Sequence, residues 1–355
     1  MSTHIKPLTK QRQTVVYYLN AGITGLVIAS LGPSIPLYAD STGLELSSLG
    51  ILFTALFSGL LTGSIWAAHL FTIKPAHRIM ALSLLGVSFM VSYLPFINDL
   101  KGLVVSWFLL GLFFGLIEVG MNTLILWVHA EKSTPFVSIM HFLFGVGALL
   151  APAFIGLSLE YSNDFNTAYW AIAGLTILAA LYTVQVSEPQ PPDNKPAPGN
   201  MLKPPALVMF ATLLLFLYVA AEVSFSGWLT SYAMQSPDIT SSNAVYVTSV
   251  FWATLALGRL SGIFLARHIS TGMILALSIS GCFISAALLA ILGSNTLFLL
   301  IGVVMMGLSM ACIFPMIFLF MEQRILVTGA VSSWCLIGAS LGGMIVPFGI
   351  GFLFT

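Results

Sequence analysis

Residues 103–128 read LVVSWFLLGLFFGLIEVGMNTLILWV, a long apolar stretch interrupted by a single charged residue, Glu118. About 20 predominantly apolar residues are enough for a helix to cross the hydrocarbon core of a bilayer, so the stretch predicts a transmembrane helix. A carboxylate at the centre of such a helix costs at least ~2.5 kcal/mol on membrane-insertion scales. A second acid, Glu222, lies in the apolar run 207–229. We therefore expect each acid to be protonated, bound to a cation or turned towards a water-filled cavity.

The composition of the whole chain predicts a polytopic helical membrane protein. The sequence has 355 residues, of which 58% are hydrophobic and 7% are charged, whereas soluble domains carry about 25% charged residues. The apolar runs are continuous, which disfavours the short alternating segments of a β-barrel. The formal net charge of zero argues against a nucleic-acid partner. The three cysteines lie far apart in apolar runs, so we expect neither a disulfide framework nor a metal site.

Apolar runs of sufficient length occur eleven times. The predicted spans are 15–38, 46–70, 78–97, 103–128, 135–159, 167–185, 206–232, 242–266, 271–293, 296–320 and 328–354.

The basic residues predict the orientation of these spans. If the amino terminus is cytoplasmic, eleven of the twelve Lys and Arg residues lie at the cytoplasmic face, and Lys101 is the exception. Such a bias is typical of cytoplasmic loops. We therefore expect an integral protein of the plasma (inner) membrane with a cytoplasmic amino terminus.

A polar, proline-rich segment after the sixth span predicts a division into two halves. Residues 188–205 read EPQPPDNKPAPGNMLKPP, and so many prolines oppose a regular helix. The predicted domains are an amino-terminal six-helix bundle (1–187), a cytoplasmic linker (188–205) and a carboxy-terminal bundle with five visible spans (206–355).

Weak internal similarity supports this division. Gly115 in span four aligns with Gly307 in span ten, and Gly145 in span five aligns with Gly338 in span eleven. Internal repeats are common in transporters, whose binding sites lie near mid-membrane where the repeats meet. The symmetry also implies a twelfth span, and we expect that the sequence is truncated before it.

Polar side chains on two of the spans form candidate binding groups. Glu118 and Asn122 are four residues apart and share a helix face. Tyr218, Glu222 and Ser226 form a stripe with the same spacing, which we expect to face a cavity rather than lipid.

Further candidates come from aromatic and basic residues. The rings of Trp228 and Trp252 could stack on a sugar, although tryptophans also form belts at the membrane interface. Arg259, at the cytoplasmic end of span eight, is predicted either to act in gating or to extend its charge to the interface. No arginine is clearly placed within the membrane to bind a substrate carboxylate, and we therefore expect anionic solutes to be disfavoured.

Four segments together resemble a known transporter family. They are GLFFGLIEVGMNTLILW (111–127), HFLFGVGALLAPAFIG (141–156), FLYVAAEVSFSGWLTSYA (216–233) and FWATLALGRLSG (251–262). These segments resemble the fucose–galactose–glucose:proton symporter family of the major facilitator superfamily, and within it the branch of sodium-dependent glucose transporter-like proteins. The resemblance implies an all-α fold in which two pseudo-symmetric helical bundles rock about a central cavity.

The resemblance also implies roles for individual residues. Glu118 and Asn122 match an acid-and-asparagine motif that the family uses in ion coupling and sugar binding. Glu222 and Trp228 match a polar residue and a tryptophan that contribute to the family's cavity, and we expect Glu222 to be a second ion-coupling group. The first span lacks the aspartate of proton-coupled members and offers Asn20 as a substrate-binding residue instead.

These observations predict a secondary active transporter that couples a proton or sodium ion to symport of a neutral, hexose-like sugar. We expect a monomer that needs no cofactor beyond the coupling ion and is not an enzyme. One alternative is a carrier of another small solute, such as a cationic-drug or lipid antiporter. Another is a non-transporting pseudo-carrier or sensor.

Overall fold

The apolar runs form helices in the computed structural model, which describes residues 7–190, 205–325 and 329–354. In this part of the chain, eleven segments are long and apolar enough to cross a membrane, as the sequence predicts. The described residues contain no β-strand.

The bounds of the α-helices, in chain order, are α1 (Pro7–Ile28), α2 (Leu31–Thr42), α3 (Leu46–Leu49), α4 (Ile51–Ile73), α5 (Ala76–Tyr93), α6 (Leu100–His129), α7 (Thr134–Ser162), α8 (Asn166–Gln185), α9 (Ala206–Ala233), α10 (Ser241–Leu265), α11 (Thr271–Leu292), α12 (Thr296–Met310), α13 (Ile313–Glu322) and α14 (Gly329–Gly351). Short 3₁₀ turns cover Leu94–Phe96, Ala130–Lys132 and Phe352–Phe354. Span one consists of α1 and α2, span two of α3 and α4, and span ten of α12 and α13; every other span is one helix.

Spans one and ten are interrupted, and each interruption lies four residues before a proline. The breaks fall at Ala29 and Ala311, and the prolines are Pro33 and Pro315. Proline has no N–H to offer the carbonyl four residues earlier, and its ring clashes with that carbonyl. Both spans were predicted to be continuous, and the structure shows that each is interrupted.

The helices form two bundles whose packing repeats after six spans. In the first bundle α4 packs on α6, and α1 packs on α7. The equivalent helices of the second bundle pair in the same way, α10 with α12 and α9 with α14. One of the two aligned glycine pairs occupies matching contacts: Gly115 lets α6 approach the backbone of α4, and Gly307 lets α12 approach the backbone of α10. The other pair does not, because Gly145 lies against α10 of the second bundle, whereas Gly338 lies against α9 of its own bundle.

The main contacts between the two bundles are those of α2 with α9, α4 with α14, and α7 with α10, and α3 also packs on α14. We call the membrane face at which α1 begins the amino-terminal face, and the other the opposite face. Several contacts between the bundles lie near the opposite face: Gly32 approaches the backbone of Gly227, and the Thr54 hydroxyl donates to the Met344 carbonyl at 2.7 Å.

At the amino-terminal face, the chain leaving α8 is held against the first bundle. His77 donates through Nδ1 to the Val186 carbonyl at 2.9 Å, so its Nε2 accepts from the Tyr17 hydroxyl at 3.1 Å. The Glu188 carboxylate accepts the backbone N–H of Ala76 at the start of α5, at 2.7 Å. Most of the predicted linker, together with Lys6, Lys195 and Lys203, lies outside the described residues, and the predicted domain boundaries remain predictions.

Candidate substrate and ion-coupling site

Glu118 lies near the middle of α6 on the face that packs against α4. Gly111, Gly115, Glu118 and Asn122 follow one another at spacings of four, three and four, which places them in a single stripe. The two glycines meet the α4 backbone directly, and the partly exposed side chains of Glu118 and Asn122 continue the stripe beyond them. The close glycine contact therefore fixes the helix that carries the acid.

The Glu118 carboxylate has no hydrogen-bond or ion-pair partner among the described residues. Asn122 shares its face, as predicted, but the Asn122 amide donates to the backbone carbonyl of Glu118 at 2.9 Å and not to the carboxylate. Both carboxylate oxygens are consequently available to a ligand or an ion.

Glu222 has a different environment. One of its oxygens, Oε1, accepts the Tyr218 hydroxyl at 2.9 Å and an Arg259 N–H at 3.3 Å. The side chains of Arg259 and Glu222 are 19% and 13% exposed, so this ion pair lies within the protein and retains limited access to solvent.

Helix direction explains why these two residues meet. Side chains on a helix tilt towards its amino terminus. Because α9 begins at the amino-terminal face and α10 begins at the opposite face, Glu222 and Arg259 point towards each other along the membrane normal. Arg259 lies near the end of α10, and its long side chain extends from there into the membrane interior.

The ion pair corrects three expectations from the sequence. Arg259 does not extend to the interface but pairs with Glu222. Glu222 is neither bare nor dependent on a bound cation, because a guanidinium neutralises it. An arginine does point into the membrane interior, so the absence of one is no longer a reason to disfavour anionic solutes.

The remaining predicted residues differ in how accessible they are. The buried Ser226 hydroxyl donates to the Glu222 backbone carbonyl at 2.8 Å, beside the contact between α2 and α9. Trp252 is 6% exposed and packs against Phe144 of the first bundle, and its indole N–H has no partner in the described part of the chain.

Asn20 and Trp228 lie in helix packing instead of the expected binding positions. Asn20 is fully buried between α1 and α8 and accepts the Thr183 hydroxyl at 3.3 Å. Trp228 is 3% exposed and donates its indole N–H to the Pro347 carbonyl at 2.9 Å. Its ring stacks on Phe354. Trp228 is therefore neither an interfacial belt residue nor open to a ligand in this conformation.

The structure adds one residue that the candidate list omits. His141 on α7 is partly exposed and lies close enough to Arg259 for their charges to interact. The sequence signal was a histidine in an apolar run, but its neighbour belongs to the other bundle and cannot be inferred from spacing. His141 lies one helical turn before Gly145, which lies against Ala256 of α10, so it belongs to the part of α7 that meets the second bundle.

Comparison with known proteins places this arrangement in a family. The family model described as Major Facilitator Superfamily matches residues 17–347. The chain belongs to the Major Facilitator Superfamily. It is a transporter of that superfamily, and the predicted fold of two pseudo-symmetric bundles is confirmed.

Relatives and solved structures agree with this assignment. The chain is 26% identical to sodium-dependent glucose transporter 1 of Xenopus laevis, over 92% of this chain and 73% of the relative. A crystal structure of a mutant nucleoside transporter NupG superposes with a TM-score of 0.78 at 12% identity, covering 97% of this chain and 91% of NupG. A bacterial homologue of the human lysosomal transporter Spinster, in an inward-facing and occupied conformation, gives a TM-score of 0.75 at 15% identity, covering 99% and 82%. At these identities the structural matches show the fold alone.

In a transporter of the Major Facilitator Superfamily, the different surroundings of the Glu118 and Glu222 carboxylates bear on cation binding. Each bundle carries one carboxylate on a central helix, Glu118 on α6 and Glu222 on α9. The first is unpaired within the described residues and the second is neutralised by Arg259. The two therefore differ in their capacity to take up a cation.

Proposed function

We propose that this protein is a secondary active symporter that couples an ion to the uptake of a hexose-like sugar by alternating access. The observation that carries the proposal is the unpaired, partly exposed carboxylate of Glu118 in the middle of a membrane helix. A bare charge there is costly, so the carrier is expected to change conformation readily once a proton or sodium ion has neutralised it. Relatives named sodium-dependent glucose transporter 1 make glucose and sodium the first pair to test.

In this proposal Glu118 alone binds the coupling ion. Glu222 was also predicted to do so, but its neighbour Arg259 already supplies a positive charge at 3.3 Å. A second cation at Glu222 would have to displace the guanidinium. We therefore propose that Glu222 contributes to substrate binding.

The proposed sugar contacts come from both bundles. Asn122 uses one amide N–H on the Glu118 backbone, which leaves its carbonyl oxygen free for a sugar hydroxyl. The Tyr218 hydroxyl donates to Glu222, and its oxygen can still accept a hydrogen bond. Trp252 is the proposed aromatic contact; in this conformation it is 6% exposed, and its indole N–H is buried without a partner among the described residues.

The test is uptake of labelled hexoses into proteoliposomes with an imposed sodium gradient, an imposed pH gradient or neither. Wild-type protein should accumulate a sugar above its equilibrium level in one gradient, which identifies the ion. Glu118→Gln should lose this accumulation and retain equilibrative uptake, because the amide is permanently neutral. Glu322→Gln, at an exposed position at the end of α13, is the matched control and should accumulate sugar normally. Gradient-driven accumulation by Glu118→Gln at the wild-type level would refute the coupling role.

A cationic-drug antiporter is the second candidate, since a partly exposed carboxylate with no partner among the described residues also suits an organic cation. Tetraphenylphosphonium distinguishes the two. Competition that is lost in Glu118→Gln, without any effect of hexoses, would favour the antiporter.

A further inference from the structure

The Glu222–Arg259 pair leaves hydrogen-bonding atoms unused. Tyr218 and Arg259 both bond to Oε1 of Glu222. The second oxygen, Oε2, has no hydrogen-bond partner among the described residues. The guanidinium bonds to Oε1 of Glu222 through Nη2 and interacts with the Tyr218 hydroxyl, and its remaining N–H groups have no partner among the described residues. An acceptor and a set of donors therefore lie side by side.

These unused atoms are accessible. Oε2 of Glu222 and the unpartnered nitrogens of Arg259 are not fully buried. Both side chains also retain some exposure. The pair also lies near the junction of the bundles, because α10 packs on α7 and Ala256, three residues before Arg259, lies against Gly145 of α7.

The charges of the pair restrict which ligand fits. A carboxylate ligand would approach the guanidinium but meet the negative charge of Glu222, and an organic cation would meet the positive charge of Arg259. A neutral group with one donor and one acceptor at neighbouring positions would satisfy both. Two hydroxyls on adjacent carbons have this arrangement, since one can donate to Oε2 while the other accepts from the guanidinium. Hydrogen bonds to charged groups are shorter and stronger than neutral ones.

We propose that the Glu222–Arg259 pair binds a vicinal diol of the substrate, which makes Arg259 a specificity-determining residue and not a gating residue. For a hexose this inference rests on the proposed function. The Tyr218 hydroxyl holds the carboxylate in place, and the planar guanidinium presents its donors in a fixed fork that a lysine lacks.

The test compares binding of a parent hexose with binding of each of its monodeoxy analogues to purified protein. In wild type, removal of a hydroxyl bound by the pair should weaken binding about 10- to 100-fold. The double variant Glu222→Met/Arg259→Met removes both charges together and leaves no lone buried charge. In this variant the ratio of the affinity for the parent hexose to that for the deoxy analogue should fall to within about threefold. A purely structural role would weaken parent and deoxy sugar alike and leave the ratio unchanged, and an unchanged ratio in the folded variant overturns the inference.

Arg259→Lys serves if the double variant does not fold. Lysine keeps the charge beside Glu222 but lacks the fork, so the deoxy penalty should again shrink while the melting temperature stays near wild type. Stronger binding of the corresponding uronate than of the neutral hexose by wild type would also overturn the inference, because Arg259 would then serve as a carboxylate partner.

The panel includes ribonucleosides and their 2′-deoxy counterparts, which carry and lack a vicinal diol on a different scaffold. Binding of ribonucleosides alone, with a diol preference lost in the variants, would reject the hexose proposal and support the inference. Hexose binding with a deoxy ratio that is unaltered in the variants would support the hexose proposal and overturn the inference. Folded wild type that binds no diol in the panel would overturn both.

Discussion

Glu118 and Glu222 differ in what surrounds their carboxylates, and removing their charges should have different effects on stability. Glu222→Gln leaves the Arg259 guanidinium without its counter-charge, and we expect a loss of about 2 kcal/mol. Glu118→Gln breaks no contact within the described residues, so its stability should match or exceed that of wild type. Unfolding of both variants in one detergent measures the difference.

The matched control for this prediction is the double variant Glu222→Gln/Arg259→Gln. If the pair is responsible, the double variant should be more stable than Glu222→Gln alone, since no charge is left unpaired. Equal losses for Glu118→Gln and Glu222→Gln would contradict the environments described for the two acids.

At the residue scale, the sequence identified the acids but not their partners. Apolar runs make a buried acid conspicuous, which is why Glu118 and Glu222 could be singled out. The partner of Glu222 is 37 residues away on another helix, and its identity depends on how α9 packs on α10. One clue was available: a side chain on α10 tilts towards the opposite face, so Arg259 had a reason to point inwards.

At the scale of helices, the length of each apolar run predicted the number of spans because length alone decides whether a helix can cross the bilayer. For the interruptions at Ala29 and Ala311 the sequence offered a clue, since Pro33 lies four residues after Ala29 and Pro315 lies four residues after Ala311. Proline is not sufficient, however, because Pro152 lies inside the unbroken helix α7. Tertiary packing decides between these outcomes, and the sequence alone does not contain it.

The contact between α2 and α9 yields a prediction about conformation. A side chain at Gly32 would collide with the backbone of Ser226 and Gly227, so Gly32→Leu should destabilise the state in which the opposite face is closed. Overpacking costs about 1–3 kcal/mol, enough to shift a two-state equilibrium roughly 5- to 150-fold. Spin labels at the exposed positions Asp40 and Gln235 should report a longer distance in this variant, and uptake should fall.

Gly174→Leu on α8 is the matched control for Gly32→Leu, because a side chain at Gly174 would meet nothing within 4 Å. It should leave both the distance distribution and uptake unchanged. An unaltered distance in Gly32→Leu would show that the contact between α2 and α9 does not hold this face closed.

At the scale of the whole molecule, the contacts between the bundles follow a pseudo-twofold relation. The contact of α4 with α14 joins spans two and eleven, and its counterpart is the contact of α10 with α7, which joins spans eight and five. The contact of α2 with α9 joins spans one and seven, which are equivalent to each other, so this contact is its own counterpart. Two related arrangements of one interface are what a rocking carrier requires. In this structure Gly32, Thr54 and Gly156 make their contacts with the second bundle near the opposite face.

Which compartment the opposite face meets depends on orientation, and the charges predict it. Lys101 lies at the opposite face, whereas Lys132 and most other cations lie at the amino-terminal face, which should therefore be cytoplasmic. In a cysteine-free background, an impermeant maleimide applied to intact cells should label Lys101→Cys directly. It should label Lys132→Cys, which is also exposed, only after the membrane is permeabilised. That result would make the face at which Gly32, Thr54 and Gly156 join the two bundles extracellular. The reverse labelling pattern would place the amino-terminal face outside the cell. The proposed direction of sugar transport would then be reversed, from the cytoplasm outwards.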